Sequence, residues 1–433
     1  MKRYFQFERH GATYRRETLA GITTFLTMAY IIVVNPAIME NAGIAREASL
    51  TATILASAIG TLIMALWARR PFAVAPLMGE NAFVAFVVVK VMGYSWQVAL
   101  GAVFIAGVVF ACLTILGIRS WLAEAIPMSL KIGFAAGIGL FLTFIGLNET
   151  GLVVAGGPGG PPVKLGNLGE PSCQIAMVGF MLMAILVARR VKGSLIIGAL
   201  AATLVSIVLG ITPLPSGFVS LPPSLAPVLL KLDIAGAFTF ECFPVVMVIF
   251  IMAFLDTVGT LIGLSMRANL LDEHGNLPGI ERPMMADALA TMIAPLLGTS
   301  TSGAYIESAA GIEEGGRTGF TALVVAALFL LSLFFAPLLT IVPPHAYGIV
   351  LVVIGAFMIA PVARIDFSDM TELIPAFLTI TLMAFTYNIG IGMTAGMITY
   401  APLKLFTGRV SEVKPGMWVL ALLSVALFIC MPR

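Results

Sequence analysis

"GTSTSGAYIESAAGIEEGG", residues 298–316, separates two strongly apolar stretches in a chain that is 59% hydrophobic. It is built mostly of Gly, Ser, Thr and Ala and carries a carboxylate at Glu307. Its surroundings decide how it reads. Charged residues make up only 11% of the chain and the mean hydropathy is +1.03. Apolar runs of 16 to 25 residues recur from Leu19 to Met431. A bilayer core takes roughly 20 apolar residues per spanning helix, so the composition predicts an all-α polytopic membrane protein. The ten-residue alternating strands of a membrane β-barrel are absent.

Spans are expected at 19–39, 49–68, 72–92, 97–117, 128–147, 175–190 and 193–212, and again at 241–264, 283–297, 299–313, 317–341, 345–361, 371–388 and 389–408. That is seven and seven, or about 14. A basic segment (1–18) precedes them, an external connecting loop (213–240) divides them, and a C-terminal segment (409–433) follows. Its apolar run 416–431 is either a fifteenth span or a helix lying against the membrane.

Charge tests the count. With the N-terminus in the cytoplasm, Lys and Arg should gather where even-numbered spans end. They do so at "KRYFQFERHGATYRR" (2–16), Arg69, Arg70, Arg119, Lys131, Arg189, Arg190 and Lys192, and then at Arg267, Arg282, Arg317, Arg364, Lys404, Arg409 and Lys414. Only Arg46, Lys90, Lys164 and Lys231 fall outside, a 20-to-4 split with Arg433 counted inside. The expected location is the cell (inner or plasma) membrane, multi-pass, with the lipid bilayer as partner. The net charge of +2 follows from this bias and gives no reason to expect nucleic acid. The stretch from Leu19 is too long for a cleavable signal, and further spans follow it. Cys112, Cys173, Cys242 and Cys430 are scattered without CxxC spacing, so neither disulfide nor metal is expected.

An odd-numbered unit repeated in tandem is inserted upside down the second time, giving an inverted repeat. "TMAYI" (27–31) is similar to "IMAFL" (251–255), and "MGENAFVAF" (78–86) to "YIESAAGI" (305–312), at offsets of 224 and 227 residues. Both members of the second pair follow stretches poor in helix formers, "RRPFAVAPLMGENAF" and "GTSTSGAYIE". Non-helical backbone at membrane depth is tolerated where it is buried in protein or lines a polar cavity. Spans three and ten are therefore expected to be broken, each a short extended stub leading into a half-length helix. Unpaired N–H groups at the two helix starts would face a ligand.

Acids within the spans are few: Glu80, Asp256, Asp287 and Glu307, with Glu241 and Glu372 nearer the ends. A carboxylate at the bilayer centre is costly unless it is protonated, paired or wetted. Asp287, followed by small residues, reads as bonded to neighbouring backbone. Asp256 with Thr257, Glu307 with Ser308, and Glu80 with Asn81 read as site residues. The rival reading of Glu80 is a pairing with backbone N–H at its own helix start. Tyr305 and Phe83 are candidates for stacking on a planar ligand, with packing as the alternative. The three histidines fall in loops or at edges, which argues against a histidine proton relay. The 23 methionines read as lipid-facing filler.

On "LAGITTFLTMAYIIVVNPAIM" (19–39), "FLDTVGTLIG" (254–263) and "GTSTSGAYIESAAGIEEGGRTG" (298–319), the chain resembles the nucleobase–cation symporters of the second class, within the xanthine/uracil permease superfamily. The branch it is most similar to is the AzgA-like adenine/guanine/hypoxanthine permeases. The resemblance implies 14 spans divided into a core and a gate domain, with short strands of spans three and ten crossing at the site. It implies proton-coupled uptake of a purine nucleobase by an elevator-like movement. Asp256 and Glu307 would hydrogen-bond the base and Asn81 would line the pocket, while Glu307, Glu80 or Asp256 would carry the proton. No cofactor is implied beyond the coupling ion, H⁺ or Na⁺, and a homodimer is the usual assembly. Two departures stand out. Many relatives carry an acid where this chain has Ala253, and many have a small or apolar residue where Glu80 stands. Alternatives within the fold are a uracil/xanthine permease and an anion transporter. An enzyme would need a catalytic cluster at a membrane face, and no such motif is present.

Overall fold

The structure, a computed structural model, describes residues 1–116, 125–157, 160–215, 217–268 and 279–430; Arg119, His274, Met431 and Arg433 lie outside these. At membrane depth every peptide N–H and C=O needs a protein partner, and an apolar run meets that need most simply as a helix. In chain order these are α1 (Tyr14–Met28), α2 (Ile31–Glu40), α3 (Arg46–Ile63, prolonged by a π turn Met64–Ala68), β1 (Val74–Pro76), α4 (Met78–Ala82, prolonged as π-helix to Val91) and α5 (Trp96–Ile115). Then come α6 (Met128–Glu149), a small hairpin of β2 (Val153–Ala155) and β3 (Val163–Leu165), α7 (Pro171–Ala188), α8 (Ser194–Val208) and a short α9 (Ile234–Ala237). The second half runs α10 (Phe243–Arg267), α11 (Glu281–Leu297), β4 (Ser302–Ala304), α12 (Ser308–Glu313), α13 (Gly319–Ser332), α14 (Ala336–Thr340), α15 (Pro344–Ile359), α16 (Met370–Phe385), α17 (Ile389–Phe406) and α18 (Pro415–Cys430).

Each of the fourteen expected spans coincides with a helix or with a strand running into a helix. Nine helical segments among the described residues are long and apolar enough to cross a bilayer. Span one departs from expectation. It is interrupted at Ala29–Tyr30, where tight bonds from Ile32 N to Ala29 O and from Val33 N to Tyr30 O carry the chain from α1 into α2.

The helices pack in two groups, following the core-and-gate division. One holds α1–α5, α10–α13, β1 and β4; the other holds α6–α8, the β2–β3 hairpin and α15–α17, with α18 laid on α17. Contacts between the groups run mainly from α1 to α8, α2 to α15 and α4 to α6. Inside the second group, glycines bring α6 and α15 together. A Cβ on Gly139 would lie 2.9 Å from Gly355 O, and one on Gly348 would lie 2.8 Å from Gly146 O. Such approach through small residues is how helices associate in lipid, where apolar side chains gain little by leaving the solvent. On the outer faces of α7 and α8, Val178, Met181, Leu204 and Val208 are exposed, as lipid contact requires.

Several methionines do not follow the expectation, although Met128, Met181 and Met370 are exposed. Met28, Met39, Met64, Met183, Met383 and Met397 are fully buried, because an unbranched thioether fills irregular gaps between helices. The basic N-terminal segment is also ordered. Phe5 and Phe7 are buried edge-on against Phe320, and Tyr4 donates to Leu66 O at 2.5 Å. Near the ends of α16 and α17, fully buried Lys404 pairs with Glu372 at 2.7 Å and with Glu412 at 2.8 Å. Arg409 and Lys404 together hold the Glu412 carboxyl down to about 2.

β1 and β4 pair antiparallel in the middle of the first group, with Val74 opposite Ala304, Ala75 opposite Gly303 and Pro76 opposite Ser302. They begin at Val74 and Ser302, close to the spacing of the sequence repeat. A Cβ placed on Gly60 of α3 would stand 2.7 Å from Val74 Cγ1 and 3.1 Å from Ala290 Cβ. Gly60→Val is therefore expected to overpack the crossing by at least 1–3 kcal/mol. The measurement is the thermal inactivation of detergent-solubilised protein, which should begin several degrees lower than in the parent. An unchanged temperature would mean that β1 does not sit against α3.

Candidate functional site

Two three-residue strands leave most of their backbone groups without a ladder partner, and the flanking helices supply what is missing. Thr61 Oγ1 of α3 accepts from Val74 N and donates to Val74 O, each at 2.9 Å. In the second half Thr291 Oγ1 of α11 donates to Ser302 O at 2.7 Å. Ala73 N donates to Ser308 Oγ at 2.9 Å, Leu77 N to Thr301 O at 2.9 Å, and Tyr305 N to Ala73 O at 2.9 Å. Each bond removes an unpaired buried group that would otherwise cost several kcal/mol in an apolar surrounding. The crossing is thus a built polar junction inside an apolar bundle.

The acids gather around it. Helix α10, which carries Asp256, packs against β4, α12 and α4. Glu80 interacts electrostatically with Asp256 and Asp287, and Asp256 with Asp287 and Glu307. Tyr305 lies within electrostatic reach of Glu307, Asp256 and Glu80. Every charged neighbour of Glu80 and Asp256 so identified is another carboxyl group.

The candidates divide by what holds them. Asp256 is half-buried and makes no hydrogen bond or ion pair among the described residues. Glu80 is buried, and its Oε1 has no hydrogen-bond partner among the described residues. Glu307 is half-buried, and its Oε1 accepts from Tyr30 Oη at 2.5 Å. Asn81 donates to Asn35 Oδ1 at 2.5 Å, and Asn35 in turn donates to Thr53 Oγ1 at 2.7 Å and Thr299 Oγ1 at 2.9 Å. Thr257 donates to Asp287 Oδ2 at 2.5 Å, so Asp287 has the structural place expected of it, although with a side chain as partner. Ser308 Oγ accepts from Ala73 N just ahead of β1, and Tyr305 donates to Pro76 O at 2.6 Å. Phe83 is wholly enclosed in the apolar core. The ring therefore presents no open face.

The expected free N–H groups are not found at the start of α12. Ser308 N, Ala309 N and Ala310 N donate to Tyr305 O, Ile306 O and Glu307 O in a tight first turn. The carboxyl side chains, more than this helix end, carry the polarity of the site.

A cavity of about 460 Å³ opens between the two packing groups and reaches Glu307. Its wall includes Thr23, Thr27, Ala309 and Ala310 from the first group and Val187, Arg190, Lys192 and Phe357 from the second. At its rim Lys192 pairs with Glu314, with both side chains partly exposed, and so joins the groups. A partly exposed ion pair contributes about 0–1 kcal/mol. Lys192→Met is accordingly expected to change maximal uptake by less than about fivefold with KM unaltered, and a larger loss would mark the pair as a required latch.

Several residues escaped the sequence reading. Tyr30 and Asn35 lie in the first span, where apolar periodicity hid them. Glu17 is fully buried and accepts from Arg317 N at 2.9 Å, Thr318 Oγ1 at 2.8 Å and Thr321 Oγ1 at 2.6 Å. It thereby caps the start of α13 from a distant helix. A lone acid within "YRRETLAG" was the one signal available for it.

Helices long enough to span a bilayer, two interrupted segments crossing between them, and ligand-capable side chains at that crossing reached by a cavity together define a membrane transporter. A profile described as "Permease family" (Xan_ur_permease) matches residues 15–395, and the chain belongs to this family, the second nucleobase–cation symporter family. It is a multi-pass membrane permease and not an enzyme. A putative permease of Methanocaldococcus jannaschii is 49% identical, over 99% of this chain and 98% of that one. Adenine permease AdeP of Escherichia coli is 40% identical, over 98% and 95%. Guanine/hypoxanthine permease PbuG of Bacillus subtilis is 39% identical, over 99% of each. Among solved structures, the transmembrane domain of the cyanobacterial bicarbonate transporter BicA has the same fold, with a TM-score of 0.66 and 16% identity over 88% of this chain and 96% of that one.

Proposed function

We propose that this chain takes up purine nucleobases (adenine, guanine or hypoxanthine) together with a proton. The observation that carries the reading is the gathering of Glu80, Asp256 and Glu307 at the strand crossing, where the charged neighbours of Glu80 and Asp256 are all acids. Carboxylates accept hydrogen bonds, and purine edges offer ring and exocyclic N–H donors. A bond to a charged acceptor contributes about 1.5–3 kcal/mol, and two or three of them with ring packing give micromolar binding. An anion such as bicarbonate would be repelled by the same groups, so likeness of fold to an anion transporter does not extend to its cargo. The relatives named as adenine and guanine/hypoxanthine permeases support the same reading.

Like charges crowded in a poorly solvated region repel strongly, and a bound proton relieves that repulsion while the loaded first group slides past the second. With Lys and Arg placed in the cytoplasm, the cavity beside Arg190 and Lys192 opens inward. The release state of an elevator-like cycle has this form. Accumulation of labelled adenine, guanine, hypoxanthine, xanthine and uracil by cells expressing the protein tests the proposal. A purine should accumulate and a protonophore should abolish the accumulation. Uptake of uracil alone, uptake that survives the protonophore, or uptake lost when Na⁺ is replaced by choline at constant pH would each refute part of it.

A further inference from the structure

We propose that Tyr30 is the positioning residue that sets the Glu307 carboxylate for the base, an inference that rests on Glu307 being a substrate contact. Three features carry it. First, the helix of the opening span tightens at Ala29–Tyr30, between α1 and α2, and the tyrosine sits at this irregularity. Second, the tyrosine is 2% exposed, so its ring is fixed by packing, and its hydroxyl donates to Glu307 Oε1 at 2.5 Å. One turn earlier, Thr27 Oγ1 lies 3.4 Å from Glu307 O, so the same junction also meets the glutamate's backbone. Third, Glu307 has little else to hold it. It precedes a helix of only six residues and borders the cavity, beside Ile306, which is 51% exposed.

A glutamate on a cavity wall has three side-chain torsions, and each one frozen on binding lowers affinity. The phenol freezes them beforehand. A charge-assisted O–H···O⁻ bond is short and strong. It ties down one carboxylate oxygen and leaves Oε2, which no other side chain among the described residues engages, to accept an N–H from the base. Tyr30 need not touch the base to have this effect.

The test pairs transport with spectroscopy on the full-length protein in proteoliposomes, using whichever of labelled adenine, guanine and hypoxanthine is best accumulated. Tyr30→Phe keeps the ring and removes the donor. KM should rise about tenfold while Vmax stays within about twofold. In infrared difference spectra the carboxyl band of Glu307, identified by its loss in Glu307→Gln, should shift in Tyr30→Phe. An unchanged KM would overturn the inference, and so would a raised KM with the band unmoved, which would make Tyr30 a packing residue only. If instead Glu307→Gln itself leaves KM and accumulation intact, the reading of Glu307 as a substrate contact fails, whatever Tyr30→Phe does to the band.

Discussion

Glu307→Gln is expected to abolish concentrative uptake of purine while leaving the protein folded. The substitution is nearly isosteric, and the amide oxygen still accepts from Tyr30 Oη, which now donates to the carboxylate at 2.5 Å. What disappears is a negative charge that can accept from the base and take up a proton. Exchanging a charged acceptor for a neutral one forfeits about 1–2 kcal/mol of binding, roughly tenfold in affinity. Losing the titrating group removes the coupling as well, and no accumulation against a gradient survives that. Filter uptake at equal membrane abundance reads the first effect. Counterflow across proteoliposomes, which needs no coupling, separates it from the second. Counterflow retained at reduced affinity with zero accumulation is the expected pattern, and undiminished accumulation would exclude Glu307 as the coupling group.

Asp256→Asn is expected to impair binding at least as severely, yet to leave stability unchanged or raised. The native carboxylate is half-buried, makes no hydrogen bond or ion pair among the described residues, and has Asp287 and Glu307 as its electrostatic neighbours. No hydrogen bond or ion pair among the described residues depends on its charge, and removing one of several mutually repelling acids relieves strain. Residues kept for function at the expense of stability behave this way. Asp287→Ala, which removes the acceptor altogether, should do the opposite. Asp287 is fully buried and accepts from Thr257, so its loss destabilises the α10–α11 contact. Thermal unfolding and base affinity measured on both variants check the pair. Destabilisation by Asp256→Asn would mean that it has an unrecognised structural partner.

The sequence made the architecture legible to an unusual degree, because lipid imposes a single strong rule. Runs of apolar residues must be helices, so helix ends could be placed from composition and charge alone. The interruptions at 72–77 and 298–305 stood out as departures from that rule, and their corresponding places in the two halves of the repeat marked them as a pair. How they meet was beyond it. The antiparallel register of Val74 with Ala304, and the two threonines that satisfy the strands from neighbouring helices, are contacts between residues far apart in the chain. No local pattern encodes such pairs. The acids of the site were visible because charge is rare in these spans. Tyr30 and Asn35 were not, since a tyrosine or an asparagine inside an apolar run leaves the hydropathy almost unmoved. Burial of the methionines was misjudged for a related reason, as thioethers suit lipid and helix interfaces equally.

The central claim is that the crossed strands bring Glu307 and Asp256 to one purine-binding site. The most direct measurement is an experimentally determined structure with the transported base bound. Density for the ring is expected beside the β1–β4 crossing, with N–H groups about 3 Å from carboxylate oxygens of both Glu307 and Asp256. A base lodged elsewhere in the bundle, or at the crossing with neither acid in contact, would contradict it.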